Sequence, residues 1–213
     1  MKILLIINPK AGIRSITKQI EKIENILKEN SNNIEVITKY TKKDYNAEDI
    51  IKNYDLSNID LIVFSGGDGT LNEGINGLMS NNIKSVPVSF IPRGTINDFA
   101  RTIKMPINKF ELSKKIKSEN SLEIKRLDIG KINDRHFCYV AGFGNFIDVG
   151  YVTSQKLKNI IGKFAYYITV FKELFKIKSY KVTVKTDGIS FTDDILFGII
   201  SNSVSIAGLK WYR

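Results

Sequence analysis

The feature that most constrains the fold is the stretch over residues 60–77, where an apolar run meets a glycine-rich turn. Residues 61–64 are continuously apolar, as expected of a strand buried in a parallel sheet. The turn over residues 65–70 contains three glycines, and apolar residues then recur at helical spacing from Leu71. The stretch therefore predicts a buried strand, a tight turn and the start of a helix in direct succession.

This turn has the chemistry of a phosphate-binding site. Its glycines let the backbone approach a ligand closely, and the helix that follows presents free amides and a partial positive charge. Asp68 lies in the middle of the turn and would repel a bare phosphate. A divalent cation between carboxylate and phosphate would remove the conflict. The alternative is that Asp68 only caps its own helix.

The chain alternates strands and helices up to about residue 120. Strands are predicted over residues 3–7, 34–38, 61–64 and 87–91, with helices over residues 16–27, 47–54, 71–78, 97–101 and 105–117. This alternation predicts an α/β fold, an open parallel sheet with helices on both faces. Three glycine turns follow strands, so we expect them to gather at the carboxyl edge of the sheet, where such folds bind ligands.

The pattern changes to antiparallel β structure from about residue 121. We predict strands over residues 122–131, 136–147, 180–185 and 189–201, with a helix over residues 149–178. The aromatic stripe of that helix is either core or a face that docks on a membrane. We therefore predict two domains: residues 1–120, an α/β domain, and residues 121–213, a domain that begins as antiparallel β structure.

Composition narrows the partners. The 32 basic and 22 acidic residues give a net charge of +10, which favours anionic partners such as nucleotides and acidic lipid surfaces. The basic residues are spread along the chain, so we expect no nucleic-acid partner. A single histidine, His136, and a single cysteine, Cys138, argue against an internal disulfide and a histidine-dependent hydrolase. Cys138 lies in an apolar run and is interpreted as a core residue.

Three motifs together resemble one family. They are NPKAG at residues 8–12, GGDGTLNE at residues 66–73 and PRGTINDFAR at residues 92–101. The set resembles the diacylglycerol kinase catalytic domain, whose family also holds sphingosine and ceramide kinases. NAD kinases share the central turn, but the first and third motifs are similar to those of the lipid kinases. Residues 125–130 and 141–144 are similar to the start of the family's second domain.

The resemblance implies ATP-dependent, Mg²⁺-assisted phosphorylation of a lipid hydroxyl, on diacylglycerol or a related lipid, by a cytoplasmic protein that binds the membrane peripherally. It implies that Asp68 and Asp128 are catalytic and hold the metal. The implied nucleotide contacts are Asn8, Pro9, Lys10, Gly12, Thr41, Gly66, Gly67, Asp68, Gly69, Thr70, Asn72, Glu73, Gly94, Thr95 and Asn97. Asp98 also belongs to the third motif. A purely structural interpretation is open for it, because Asp98 and Asn97 can cap the short helix that begins there.

The resemblance also implies that residues 1–120 are an α/β nucleotide-binding catalytic domain and that residues 121–213 are a partial β-rich lipid-acceptor domain. In the family, an acidic segment and further strands follow the region that matches residues 201–210. We therefore expect a lipid kinase or, alternatively, a truncated nucleotide-binding fragment with little or no catalytic activity. A second polypeptide that supplies the remaining strands is a third expectation. The lipid and the oligomeric state, with a homodimer as one candidate, stay open.

Overall fold

The structure is a computed structural model that describes residues 1–12, 17–28, 34–81, 86–105, 108–117, 124–145, 178–185, 187–202, 205–206 and 209–210. The chain divides into two compact units, one of Met1–Tyr139 with Asn202–Arg213 and one of Val140–Ser201. The domain boundary near residue 120 stays a prediction. The helix predicted over residues 149–178 lies outside the described residues except for its last position.

The first unit is built on a parallel sheet. Its strands are β1 (Lys2–Ile7), β2 (Glu35–Tyr40), β3 (Leu61–Gly66) and β4 (Val88–Pro92). They pair in parallel in the order β2-β1-β3-β4. The β1 side chains from Ile3 to Ile7 are fully buried. A strand covered on both faces needs a continuous apolar run, and the sequence of β1 has one. The predicted parallel sheet is confirmed.

Helices cover both faces of this sheet. They are α1 (Thr17–Lys28), α2 (Ala47–Lys52), α3 (Asp68–Ser80), α4 (Asp98–Thr102) and α5 (Lys109–Lys117). Alternate residues of β1 serve two separate cores: Leu4 and Ile6 pack with α2, α3 and α4, whereas Ile3 and Leu5 pack with α1 and α5. No helix in the described part of the chain combines the length and the apolar character needed to cross a bilayer.

The start of α5 differs from the prediction. The helix begins at Lys109, not at Met105. The side chain of Asn108 accepts hydrogen bonds from the amides of Phe110 at 3.1 Å and Glu111 at 3.4 Å. An asparagine in this position is a good helix N-cap, and it sets the boundary.

A short hairpin docks on the helical layer of the first unit. It consists of β5 (Gly130–Ile132) and β6 (Arg135–Phe137), which pair antiparallel. The Asn76 side chain on α3 accepts from the His136 amide and donates to the His136 carbonyl, each at 2.9 Å. The strand predicted over residues 122–131 is wrong for residues 124–129, which form no strand. Apolar residues are present there, but Ile124 is 75% exposed and no described strand pairs with the segment.

The second unit contains antiparallel strands, as predicted for the C-terminal region. They are β7 (Val140–Gly144), β8 (Tyr180–Lys185), β9 (Ser190–Ile195) and β10 (Phe197–Ser201). The predicted hairpin around Gly188 is confirmed as the β8–β9 pair. The single strand predicted over residues 189–201 is instead two strands, because the chain changes partner at Leu196 and β10 pairs with β7. In the first unit, β11 (Ser205–Ile206) pairs antiparallel with β12 (Leu209–Lys210).

The packing of α3 on β3 leads to a stability test with a matched control. A Cβ added at Gly74 would collide with the ring of Phe64, which is fully buried. We expect Gly74→Ala to lose roughly 1–3 kcal/mol of unfolding free energy through overpacking. A Cβ at Gly69, in the same helix, meets nothing within 4 Å. There the helix propensity of alanine should raise stability by up to about 1 kcal/mol. Urea unfolding of both variants measures the difference, and equal stabilities would contradict this packing.

Candidate functional site

The strand order creates a crevice at the carboxyl ends of β1 and β3. These strands are neighbours, yet the chain leaves β1 toward the α1 face and leaves β3 toward the α3 face. Open α/β sheets bind ligands at such a topological switch point. The first and central glycine motifs both begin at this point, as the sequence predicts.

Asn8 joins the first loop, residues 8–12, to the central turn, residues 65–70. Its amide donates to the Ser65 carbonyl at 2.9 Å, which extends the pairing of β1 with β3. Its side-chain Nδ2 donates to Thr70 Oγ1 at 3.0 Å, and its Oδ1 accepts from the Lys10 amide at 2.9 Å. Thr70 itself is buried. The two loops are therefore held in a fixed relation by one polar side chain.

The central turn and the third loop, residues 92–98, touch through their glycines. Gly67 is the N-cap of α3 and supplies no side-chain hydrogen bond to the helix start. A Cβ added at Gly94 would lie 2.7 Å from the Gly67 Cα, so the two backbones approach more closely than any larger residue permits. The first loop also packs on this region, because Gly12 has φ +103° and a Cβ there would lie 2.9 Å from the Arg93 carbonyl oxygen.

The Asp68 carboxylate binds the start of α4. Oδ2 accepts from the Asp98 amide and Oδ1 from the Phe99 amide, each at 3.1 Å. The capping alternative for Asp68 is thus realised on a different helix from the one expected. Burial raises the pKa of the Asp68 carboxyl, and the nearby Asp98 charge adds to this, while the amide hydrogen bonds oppose it.

Asn97 does not cap α4 with its side chain, although it occupies the N-cap position. Its Oδ1 accepts from the Gly94 amide at 2.8 Å and its Nδ2 donates to the Gly94 carbonyl at 2.9 Å. The backbone of Asn97 is left-handed, with φ 57°. The capping role that the sequence offered to Asn97 is therefore taken by Asp68, and Asn97 instead closes the third loop on itself.

The donor set around Asp68 fits a magnesium ion that is shared with phosphates. Mg²⁺ usually takes one or two carboxylates and completes its octahedron with water and phosphate oxygens. The Asp68 oxygens each accept one amide, which leaves further lone pairs for a cation. The described residues contain no group of three or more His, Cys, Asp or Glu side chains arranged to hold a metal ion. Asp68 therefore fits as one of the one or two carboxylates that Mg²⁺ takes.

Asp128 is exposed, and its contact in the described part of the chain is through the backbone. Its carbonyl accepts from Asn202 Nδ2 at 2.8 Å. No described hydrogen bond or ion pair joins its carboxylate to Asp68. Its role as a metal ligand stays a prediction.

The remaining predicted contacts form hydrogen bonds with different parts of the first unit. Thr41 is buried and its amide donates to the Ile7 carbonyl at 2.9 Å, next to the first loop. Glu73 Oε2 accepts from the Ala47 amide at 3.3 Å, at the start of α2. Asn72 Oδ1 accepts from Cys138 Sγ at 3.7 Å. Cys138 is 7% exposed, which confirms it as a core residue, and this burial raises the pKa of its thiol to about 12.

Arg93 is the functional candidate to which sequence reasoning assigned no role. It is 6% exposed, and its guanidinium donates to Ser65 Oγ at 3.4 Å and to the Ala11 carbonyl at 3.3 Å. It therefore contacts the first loop and the central turn from the third. The sequence contains one sign of this. Arg93 follows the predicted strand that ends at Ile91, and strand alternation places these two side chains on the same face of the sheet, toward the core.

The chain is similar to known proteins of one family. The family model described as "Diacylglycerol kinase catalytic domain" matches residues 2–132. The chain is 36% identical over 151 residues to a diacylglycerol kinase of Staphylococcus carnosus, covering 71% of this chain and 48% of that protein. A diacylglycerol kinase of Staphylococcus saprophyticus is 36% identical over 153 residues, covering 72% and 49%. The aligned segment spans about half the length of these relatives.

A solved structure gives the same relationship. A diacylglycerol kinase from Bacillus anthracis superposes with a TM-score of 0.73 at 31% identity, over 98% of this chain and 67% of that one. Fold and loops together define an α/β protein of the diacylglycerol kinase and NAD kinase type. Within that class, the chain belongs to the diacylglycerol kinase catalytic domain family.

The Asp68 contact leads to a local test. Asp68→Ala removes the acceptors of the Asp98 and Phe99 amides. Loss of a helix cap costs about 0.5–2 kcal/mol, so hydrogen exchange at these two amides should accelerate roughly two- to thirtyfold. Asp134→Ala, at an exposed position of the β5–β6 turn, is the control and should change neither amide. Unchanged protection in Asp68→Ala would show that α4 is held in another way.

Proposed function

We propose that the chain carries the nucleotide site of an ATP-dependent lipid kinase, which transfers the γ-phosphate of ATP to a lipid hydroxyl. The observation that supports this is the convergence of three loops through the Asn8–Thr70 and Asp68–α4 hydrogen bonds and the Gly67–Gly94 contact. Phosphoryl transfer depends on positioning and charge neutralisation more than on covalent help from the protein. Preformed loops of this kind supply the positioning.

The loops take separate parts of the nucleotide in this proposal. The backbone of Gly66, Gly67, Gly69 and Thr70 and the start of α3 bind phosphate oxygens, because a helix N-terminus presents amides and a partial positive charge. The first loop, with Asn8, Pro9, Lys10 and Gly12, lines the nucleotide together with Thr41. Thr95 and Asn97, in the third loop, contact the nucleotide from another side. Asn72 and Glu73 lie in α3, whose first turn binds the phosphates.

The proposed metal position is at Asp68. Mg²⁺, when bound, neutralises negative charge that develops on the transferred phosphoryl group. Asp68 is oriented for this by two amides of α4, which fix the carboxylate without consuming all its lone pairs. Asp128 is proposed as the second carboxylate.

The proposed acceptor is diacylglycerol or a related hydroxylated lipid. The support is the family, together with the printed name of the relatives, diacylglycerol kinase. The net charge of +10 favours approach to an anionic lipid surface. We propose peripheral binding at the cytoplasmic face of the membrane, where ATP is available.

Lipid phosphorylation with labelled ATP tests the proposal directly. We expect Mg²⁺-dependent transfer to diacylglycerol or to a sphingoid base presented in anionic vesicles. Asp68→Ala and Asp68→Asn should lose at least about a hundredfold in kcat/KM, because a metal contact contributes several kcal/mol to the transition state. Asp134→Ala should retain the wild-type rate.

The outcomes separate activity from binding. Transfer by Asp68→Asn at the wild-type rate would contradict the metal role of Asp68. Binding of ATP, measured by titration calorimetry, with no transfer to any lipid would support a nucleotide-binding fragment instead of a kinase. A chain that neither binds ATP nor transfers phosphate would overturn the proposal.

A further inference from the structure

Arg93 brings a positive charge into the interior directly under the three loops. Its side chain leaves the end of β4 and is 94% buried, since only 6% of its surface is exposed. Its two described hydrogen bonds are long, 3.4 Å to Ser65 Oγ and 3.3 Å to the Ala11 carbonyl. Both acceptors are neutral. The guanidinium has five N–H donors, so these contacts use a minority of its capacity.

No acidic side chain in the described part of the chain forms an ion pair with Arg93. Its pKa is lowered by burial, yet a guanidinium remains protonated in proteins. A buried charge without a counter-ion is costly, and proteins normally pair it or bring it to a ligand. The Asp68 carboxylate, in the central turn, accepts from the amides of α4 and forms no described ion pair with Arg93. Among the described residues, this cation is therefore left without an acidic counter-ion.

The position of the charge indicates what compensates it. Arg93 contacts Ala11 in the first loop and Ser65 at the start of the central turn. Its own carbonyl lies under Gly12, and the next residue is Gly94, which packs on Gly67. These are the backbone segments that surround the crevice between β1 and β3. An anion seated in this crevice would lie within the field of the guanidinium.

We propose that Arg93 is a fixed positive charge for the polyphosphate of the bound nucleotide, and that the ligand phosphates are its counter-ion. This inference rests on the proposed function and adds a specific residue to it. Arg93 is a binding and positioning residue. It attracts the phosphates through space, from a position that its contacts with Ser65 and Ala11 define.

Two consequences distinguish an Arg93 that neutralises phosphate charge from an Arg93 that only supports the loops. Affinity should rise with the number of phosphates, and this rise should depend on Arg93. In addition, replacing an uncompensated buried cation by an apolar side chain of similar length should leave the ligand-free protein as stable as before, or more stable. If Arg93 only supported the loops, its replacement would lower the stability of the protein and would not selectively weaken the binding of phosphate-bearing ligands.

The experiment compares wild type with Arg93→Met, Arg93→Gln and Arg93→Lys by titration calorimetry and thermal unfolding. The probes are adenosine, AMP, ADP, ATP and inorganic tripolyphosphate, with and without Mg²⁺. Arg93→Met and Arg93→Gln should lose about ten- to a hundredfold in affinity for ATP and tripolyphosphate, as a cation several ångströms from the phosphates implies. Adenosine binding should not change, and Arg93→Lys should retain most of the affinity for ATP.

Lys131 provides the control for the loss of one positive charge. Lys131→Met removes one exposed positive charge from β5 and should preserve the phosphate dependence. Arg93→Met should unfold at or above the wild-type temperature without ligand; if it fails to fold, Arg93→Gln, which keeps a donor for Ala11, carries the comparison. An equal loss for adenosine and ATP, or an unchanged dependence on phosphate number, would overturn the inference while leaving the proposed function intact. Wild-type protein that binds none of the probes would overturn the proposed function first.

Discussion

The hydrogen bonds between the Asp68 carboxylate and the first amides of α4 are the interaction on which the site depends. They connect a residue of the central turn to the helix that follows the third loop, across 30 positions of the sequence. The contact fixes the orientation of the carboxylate, and it also satisfies two amides that a short helix would otherwise expose. Burial raises the pKa of Asp68 and so disfavours its ionised form, whereas a cation bound beside the carboxylate would favour that form.

The rest of the fold brings these groups together and keeps them there. Parallel pairing in the order β2-β1-β3-β4 places the ends of β1, β3 and β4 at one edge. The β1 strand, with apolar cores on both faces, is a rigid base for that edge. Asn8, Gly67 and Arg93 then connect neighbouring loops through a side chain, a close backbone contact and a buried cation. The result is three loops that meet at one edge of the sheet, with the Asp68 carboxylate joining the central turn to α4.

Sequence reasoning reaches the sheet and the loop positions because both follow from local patterns. Continuous apolar runs predict buried parallel strands, and turns after such strands must share an edge. The partners of individual side chains could not be predicted, because they depend on contacts between distant segments. Asp68 was expected to hold a metal, with a cap on α3 as the alternative. Its oxygens accept from amides of α4 instead of α3, and the metal role stays a prediction. The segment at 124–129 was expected to form a strand and lacks a described partner.

The central claim is that the three loops form one nucleotide site. An NMR titration of ¹⁵N-labelled protein with Mg²⁺ and ATP tests it most directly. The account predicts that amide resonances of residues 8–12, 66–70 and 94–98 shift together and saturate with one dissociation constant. The amides of the β8–β9 hairpin should not follow that curve. Shifts confined to one loop, or no response to ATP at any of the three, would contradict the account.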